Sequence, residues 1–338
     1  GALEIIDTYD KPDFTRVNFT QAFDEAPLVF TLPTIDGANS AAHRVRNIDS
    51  EGFDIMTLEP DGEDGPHIDM ALNYLAVEKG VHELPGGRRM IAGTIDTARY
   101  QGYGDLAKAA SWDSVRFDNA DFSQAPAVLG QVQSMNNEQE TGIPALPSRP
   151  WLTTAISAVS AKGMRIALER SESSSGSVSK TETIAYLALE PVTRLAFKDG
   201  GGQRVQMEVI RSEALIQGWG TCNNNPIEFA DFWDKPPVAL ATKNTRDGDS
   251  GIGQGDGGWL RRCSTSTGSV ALQVDEVRTG IGDGDRRHDT RERAGVVLFS
   301  GNFVTERREL DHFRLYHDGL GIAGMAEPVT VVACRDED

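Results

Sequence analysis

FDEAPLVF at Phe23–Phe30 returns as FSQAPAVL at Phe122–Leu129 and as FWDKPPVA at Phe232–Ala239. Each version places an aromatic residue, a three-residue spacer, a proline and an apolar run. The phrase belongs to a longer pattern. Before it stands a short alternating stretch, VNF from Val17, VRF from Val115 and IEF from Ile227. After it come DSEGFDIMTLE, SAKGMRIALER and TSTGSVALQVD, with turn glycines at Gly52, Gly163 and Gly268. An almost continuous apolar stretch closes each copy: NYLAVE ending at Glu78, AYLALE at Glu190 and GVVLFS at Ser300. Proline-to-glycine spacing is 25 residues (27 to 52), 37 (126 to 163) and 31 (237 to 268). Length therefore varies between strands, where loops absorb it.

Four motifs repeated in one order specify tandem domains, since solenoid periods run only ~20–50 residues. The alternation in FDIMTLE and MRIALER predicts strands with one face buried and one wet. Such sheets bury their apolar faces against each other, so the expected fold is all-β, three tandem small antiparallel β-sandwiches. The divisions fall at 1–100, 111–212 and 222–309, with 310–338 opening a further β domain or forming a C-terminal hairpin. Arg99–Trp112 and Arg211–Pro226 are the connecting segments. The repeated proline marks a strand entrance and its aromatic plugs the end of a sandwich, so the phrase reads as scaffold.

Composition narrows the function classes. The net charge of −18 excludes nucleic acid and anionic membrane as partners, because both repel such a surface. No apolar run approaches the ~18 residues a membrane span needs. GALEIIDTYD lacks the charged and apolar regions of a signal peptide. Gly1 and Ala2 read as vector-derived, with the chain beginning inside a longer protein. Cys222, Cys263 and Cys334 allow two readings: three buried thiols, or a Cys222–Cys263 disulfide with Cys334 left over, which needs an oxidising compartment.

The order V-x-F, F-x-x-x-P-x-V, x-x-G-F and Y-L-A-V-E resembles the H-type lectin domain of snail agglutinins and discoidin C-terminal domains. The likeness spans about residues 14 to 305; the first unit follows it best and the third is degenerate. HFRLYHDGLGIAGMAEPVTVVAC, from His312, resembles the segment that follows such repeats in MshQ-type proteins of the mannose-sensitive haemagglutinin pilus loci of marine bacteria. In that segment a turn cysteine usually pairs with the equivalent of Cys334; here Gly324 stands in the turn, which leaves Cys334 free. The lectin resemblance implies a six-stranded sandwich, trimeric assembly and N-acetylgalactosamine-type sugars bound between protomers. Three copies in one chain then imply a single-chain pseudo-trimer.

The family's site arginine lies eight residues before the turn glycine, where Arg44 stands; Ala155 and Leu260 occupy that spacing in the other units, with Arg261 adjacent. The family's Trp-His pair is missing from PDGEDGPH, where His67 is the substitute. Trp151 and Trp259 precede the middle strands of their units and either stack on a sugar or lie buried. The loops RDGDSGIGQGDGG and GIGDGDRRHD offer Asp247, Asp249, Asp256, Asp283 and Asp285 as oxygen ligands for Ca2+, or are simply solvated; EF-hand spacing is absent. His312 and His317 have no metal-binding partners in sequence. No G-x-S-x-G, H-E-x-x-H, P-loop or strand-borne G-x-G-x-x-G is present, so no enzyme is expected. The expectation is a carbohydrate-binding, adhesin-like segment at the cell surface or outside the cell, with a glycan or polysaccharide and further domains of the same polypeptide as partners. The alternatives are a structural module of a pilus-associated protein and, third, a polysaccharide-degrading enzyme built on acid pairs.

Overall fold

A computed structural model describes residues 1–300 except 38, 62, 103–111, 119, 140–144, 171–175, 199–203, 219, 223, 231–232, 248–257, 277–287 and 289, plus the backbone of 312–316 and 330–334. The described residues contain strands, turns and loops and no helix. The chain runs through β1 (Ala2–Ile5), β2 (Thr15–Asn18), β3 (Leu28–Thr31), β4 (Ala42–Arg46), β5 (Gly52–Leu58) and β6 (Met70–Val77). It continues with β7 (Gly80–Leu84), β8 (Arg88–Thr97), β9 (Tyr100–Gly102), β10 (Asp113–Arg116), β11 (Ala127–Val132), β12 (Leu152–Ser160), β13 (Gly163–Arg170) and β14 (Glu182–Leu189). Then follow β15 (Val192–Lys198), β16 (Arg204–Arg211), β17 (Ile227–Glu228), β18 (Val238–Lys243), β19 (Trp259–Thr265), β20 (Ser269–Asp275) and β21 (Ala294–Phe299). A separate hairpin joins β22 (His312–Tyr316) to β23 (Thr330–Cys334).

Each unit is a pair of sheets, antiparallel throughout except where β9 joins β13 in parallel in the second unit. One sheet is β2-β5-β4 in the first unit, β10-β13-β12 in the second and β17-β20-β19 in the third. The other is β1-β6-β3, β11-β14-β8-β7 and β15-β16-β21-β18. The strand that precedes each repeat (β1, β8, β16) pairs with its closing strand (β6, β14, β21). The sheets thus join strands from either side of residues 100 and 212: β7 and β8 complete the second unit, β15 and β16 the third.

The phrase that repeats is β3, β11 and β18, and its continuous apolar character has a physical cause. Val29 packs into the first unit's own core with Val45, Phe53 and Leu72. Its neighbours Leu28 and Phe30 face the other way, into a core shared with Leu129, Leu187, Leu240 and Val297 of the other units. A strand buried on both faces needs apolar residues at every position. β3, β11 and β18 each approach the other two, so the three sandwiches close around them. β5 departs from the expected alternation for a related reason. Met56 and Leu58 lie against Trp151 and Trp259 of the other units, so its second face is dry as well.

Pairing refines the alignment of the third copy. Val17, Val115 and Ile227 sit opposite Phe53, Met164 and Val270, which matches Ser269 with Gly52 and Gly163. Trp233 donates its N–H to Thr267, as Phe23 does to Ser50. Trp233 therefore fills the aromatic position, and Phe232 lies outside the described residues. Cys222 and Cys263 form a disulfide with Cα atoms 5.7 Å apart, which selects one of the two cysteine readings. Cys263 sits at the bulge in β19 between Arg262 and Ser264.

Candidate functional site

The same register moves the site arginine of the third unit. Arg44 pairs across to Met56, Ala155 to Ala167 and Arg261 to Gln273, each four residues after Gly52, Gly163 and Ser269. Arg261, not Leu260, is the counterpart of Arg44. Both guanidinium groups are buried at junctions between units. Arg44 Nε donates to Glu138 of the second unit at 2.5 Å, and the guanidinium stacks 3.9 Å from the Trp151 ring. Burial raises the Glu138 carboxyl and the charge of Arg44 opposes that rise. Arg261 donates to Asp275 at 2.8 Å and to the carbonyls of Thr34, Asp36 and Asn39 in the first unit. At the junction of the second and third units the polarity is reversed: Glu169 accepts from Arg246 at 2.6 Å. Every junction holds a buried arginine–carboxylate pair.

Side chains that follow the phrase repeat this logic. Gln133 Nε2 donates to the carbonyl of Val29 across the first junction, and Asn244 Nδ2 donates to that of Val128 across the second. Gln133 and Asn244 are equivalent positions, as are Val29 and Val128. Trp151 and Trp259, whose rings lie 5.2 Å apart, are both buried, and Trp259 Nε1 donates to Ala41 of the first unit. Four residues that the sequence offers to a sugar are thus engaged in holding units together.

His67 is also buried, with Nδ1 on its neighbour's carbonyl at Ile68. Beside it, the PDGEDGPH loop brings Asp64 to the surface, where side chains from elsewhere in the first unit meet it. The Tyr9 ring is 52% exposed, and its hydroxyl donates to Asp64 Oδ2 at 2.9 Å. Asn39 Nδ2 donates to Asp64 Oδ1 at 3.0 Å and to Glu59 Oε2 at 3.3 Å. Glu59 accepts from the Gly65 N–H, and burial, with Asp64 alongside, pushes its carboxyl up to about 8. Asp64 feels burial too, but hydrogen bonds with Glu59, Tyr9 and Asn39 lower its carboxyl overall. The result is an exposed aromatic face beside one carboxylate, Asp64, and one half-buried amide, Asn39, with the neutral Glu59 carboxyl buried beneath them at 2% exposure. That set donates to and accepts from hydroxyl groups. Glu59 and Asp64 share a hydrogen bond, whereas glycosidase acids stand ~5–9.5 Å apart. In this loop the motif comparison points to His67 alone. Tyr9, Asn39, Glu59 and Asp64 are scattered over 55 residues in sequence, and only the fold collects them.

The acidic-loop candidates divide. Asp247 is described, with its N–H donating to Glu292; burial and the Glu292 charge raise its carboxyl. Asp249, Asp256, Asp283 and Asp285 lie outside the described residues. Among the described residues no group of three or more His, Cys, Asp or Glu side chains is arranged to hold a metal ion. Near Asp247 a buried network runs Glu276–His288–Glu292–Lys243, with His288 Nε2 2.9 Å and Lys243 Nζ 3.6 Å from Glu292. Burial opposes the imidazolium, but its two carboxylates push it up to about 9. No helix among the described residues is long and apolar enough to cross a membrane. In comparisons with known proteins, no family model, no curated protein and no solved structure matches this chain.

Proposed function

We propose that the chain is a carbohydrate-binding, lectin-like segment of a secreted or cell-surface protein, binding a glycan without catalysis. The observation that carries this reading is the exposed Tyr9 ring beside Asp64 and Asn39, an aromatic platform with polar groups at its edge that the buried Glu59 holds in place. The motif resemblance to H-type lectins and the closure of three equivalent strands support it, as that family places sugars between neighbouring protomers. The Cys222–Cys263 disulfide fits an oxidising compartment. A glycan array, with and without calcium, tests the reading. Binding of the full chain, weakened at least about tenfold by Tyr9→Ala, is expected; one tenfold step is ~1.4 kcal/mol, within the range of a lost stacking contact.

A second reading is a structural module of a pilus-associated protein. It is favoured by the burial of Arg44, Arg261, Trp151 and Trp259 in the junctions, where they serve assembly. An array blank in both conditions, on protein shown to be folded, selects this second reading.

A further inference from the structure

Where the three units meet, a cavity of about 60 Å3 is lined by residues of all three. Its walls come from equivalent places: the ends of β3, β11 and β18, and the facing parts of β4, β12 and β19. Arg44 and Lys243 line it together with Thr31, Thr153, Thr154 and Thr242, and no carboxylate does. In a chain of net charge −18 that selection of side chains is pronounced. Two of the lining groups are unsatisfied donors. Arg44 Nη2 and Thr153 Oγ1 have no hydrogen-bond partner, and their residues are 5% and 8% exposed. A buried donor without an acceptor costs roughly 1–3 kcal/mol, more for a charged group, so two on one cavity point to an occupant.

We propose that this cavity is a binding site for one small monovalent anion of halide size. Its size sets the class. The volume exceeds the ~10–15 Å3 that one water requires and falls well short of the ~300 Å3 pockets that hold larger ligands. The donors set the sign. Arg44 and Lys243 are paired behind the wall with Glu138 and Glu292. What the cavity offers an occupant is therefore the unsatisfied Arg44 Nη2 and Thr153 Oγ1 with no carboxylate facing them, and burial keeps His43 beside them neutral by pushing it down to about 3. An anion accepts from the guanidinium N–H and the threonine hydroxyl at once, and hydrogen bonds to an ionised acceptor are roughly twice as strong as those to a neutral one. Because residues of all three units line the site, the anion fastens the centre of the assembly.

The probe is bromide. Crystals of the full chain grown in sodium bromide are expected to show an anomalous peak in the cavity within hydrogen-bond distance of Arg44 Nη2 and Thr153 Oγ1. The melting temperature is expected to rise with sodium bromide relative to sodium gluconate at equal ionic strength. Thr153→Val keeps the shape and removes one donor, and should flatten that rise; Arg44→Lys keeps the charge opposite Glu138 and removes Nη2, with the same effect. Water alone in the cavity of bromide-grown crystals overturns the proposal, as does a Thr153→Val protein that keeps the full bromide response. If neither variant folds, the wild-type anomalous map decides.

Discussion

Arg44 and Glu138 are 94 residues apart in sequence and both nearly inaccessible, 5% and 3% by side chain. Removing one partner of such a pair strands the other in a dry site. Arg44→Met is therefore expected to cost ~3–5 kcal/mol, read as a fall in the urea midpoint, with Glu138→Gln in the same chain recovering part of it. If the double variant is no more stable than the single one, the unpaired charge is not the cause. Glu59 gives a pH signature. Its folded carboxyl lies above the ordinary value of 4.5, so its contribution is whole below that value and is lost as pH rises through about 8. His288 behaves likewise: its contribution is present below 6.5 and lost as pH rises through about 9. Glu292 lies below its ordinary value through Lys243 and His288, against the pull of burial, and loses its contribution in acid. Glu59→Gln mimics the protonated carboxyl, so melting temperature against pH should lose its earlier alkaline decline and keep the later one. An unchanged profile would mean that Glu59 is ionised at neutral pH.

At the scale of elements, β21 and β11 cross between units at close range. A Cβ built on Gly295 would stand 2.4 Å from the Val128 nitrogen and 2.6 Å from its oxygen. The obstacle is backbone, which cannot rotate away. Gly295→Ala is expected to destabilise by about 1–3 kcal/mol, measured by chemical denaturation, and to loosen the Asn244–Val128 amide pair. Stability equal to wild type would show that β21 can shift without loss. Strand positions were legible in the residues because alternation and turn glycines are local signals, but the dry second face of β5 was not, since it depends on Trp151 and Trp259 of other units. The off-by-one in the third copy was not. The bulge in β19 and the pairing of Ser269 in the glycine's place are set by cross-strand hydrogen bonds, so Arg261 stayed one position away from Arg44 in the reading.

For the whole molecule, the shared core is the dominant fact. The largest apolar cluster draws Leu28 and Phe30 from the first unit, Leu129 and Leu187 from the second and Leu240 and Phe299 from the third. Units that share a core unfold together. Calorimetry should show one transition with equal calorimetric and van't Hoff enthalpies; three resolved transitions would contradict the shared core. Solution scattering should report a compact particle and not three beads in a line. Reducing Cys222–Cys263, which spans 41 residues, is expected to lower stability by ~2–4 kcal/mol with that single transition kept. If reduction leaves the melting temperature unchanged, the crosslink does not constrain the unfolded chain.

By itself the sequence determined the repeat, the all-β class and the double-sheet units, because period-2 burial, proline at strand entrances and glycine at turns act within a few residues. Tertiary structure alone decided which faces of β3, β11 and β18 became common core and which acid each arginine meets. It also decided that Arg44, Trp151, Trp259 and Arg261 serve the junctions while Tyr9 and Asp64 face solvent. Those outcomes depend on partners as far as 227 residues away, as between Arg261 and Thr34, chosen by closure of the three units. FDEAPLVF shows both halves: its proline and apolar run specify a strand, and only assembly explains why both faces of that strand had to be apolar.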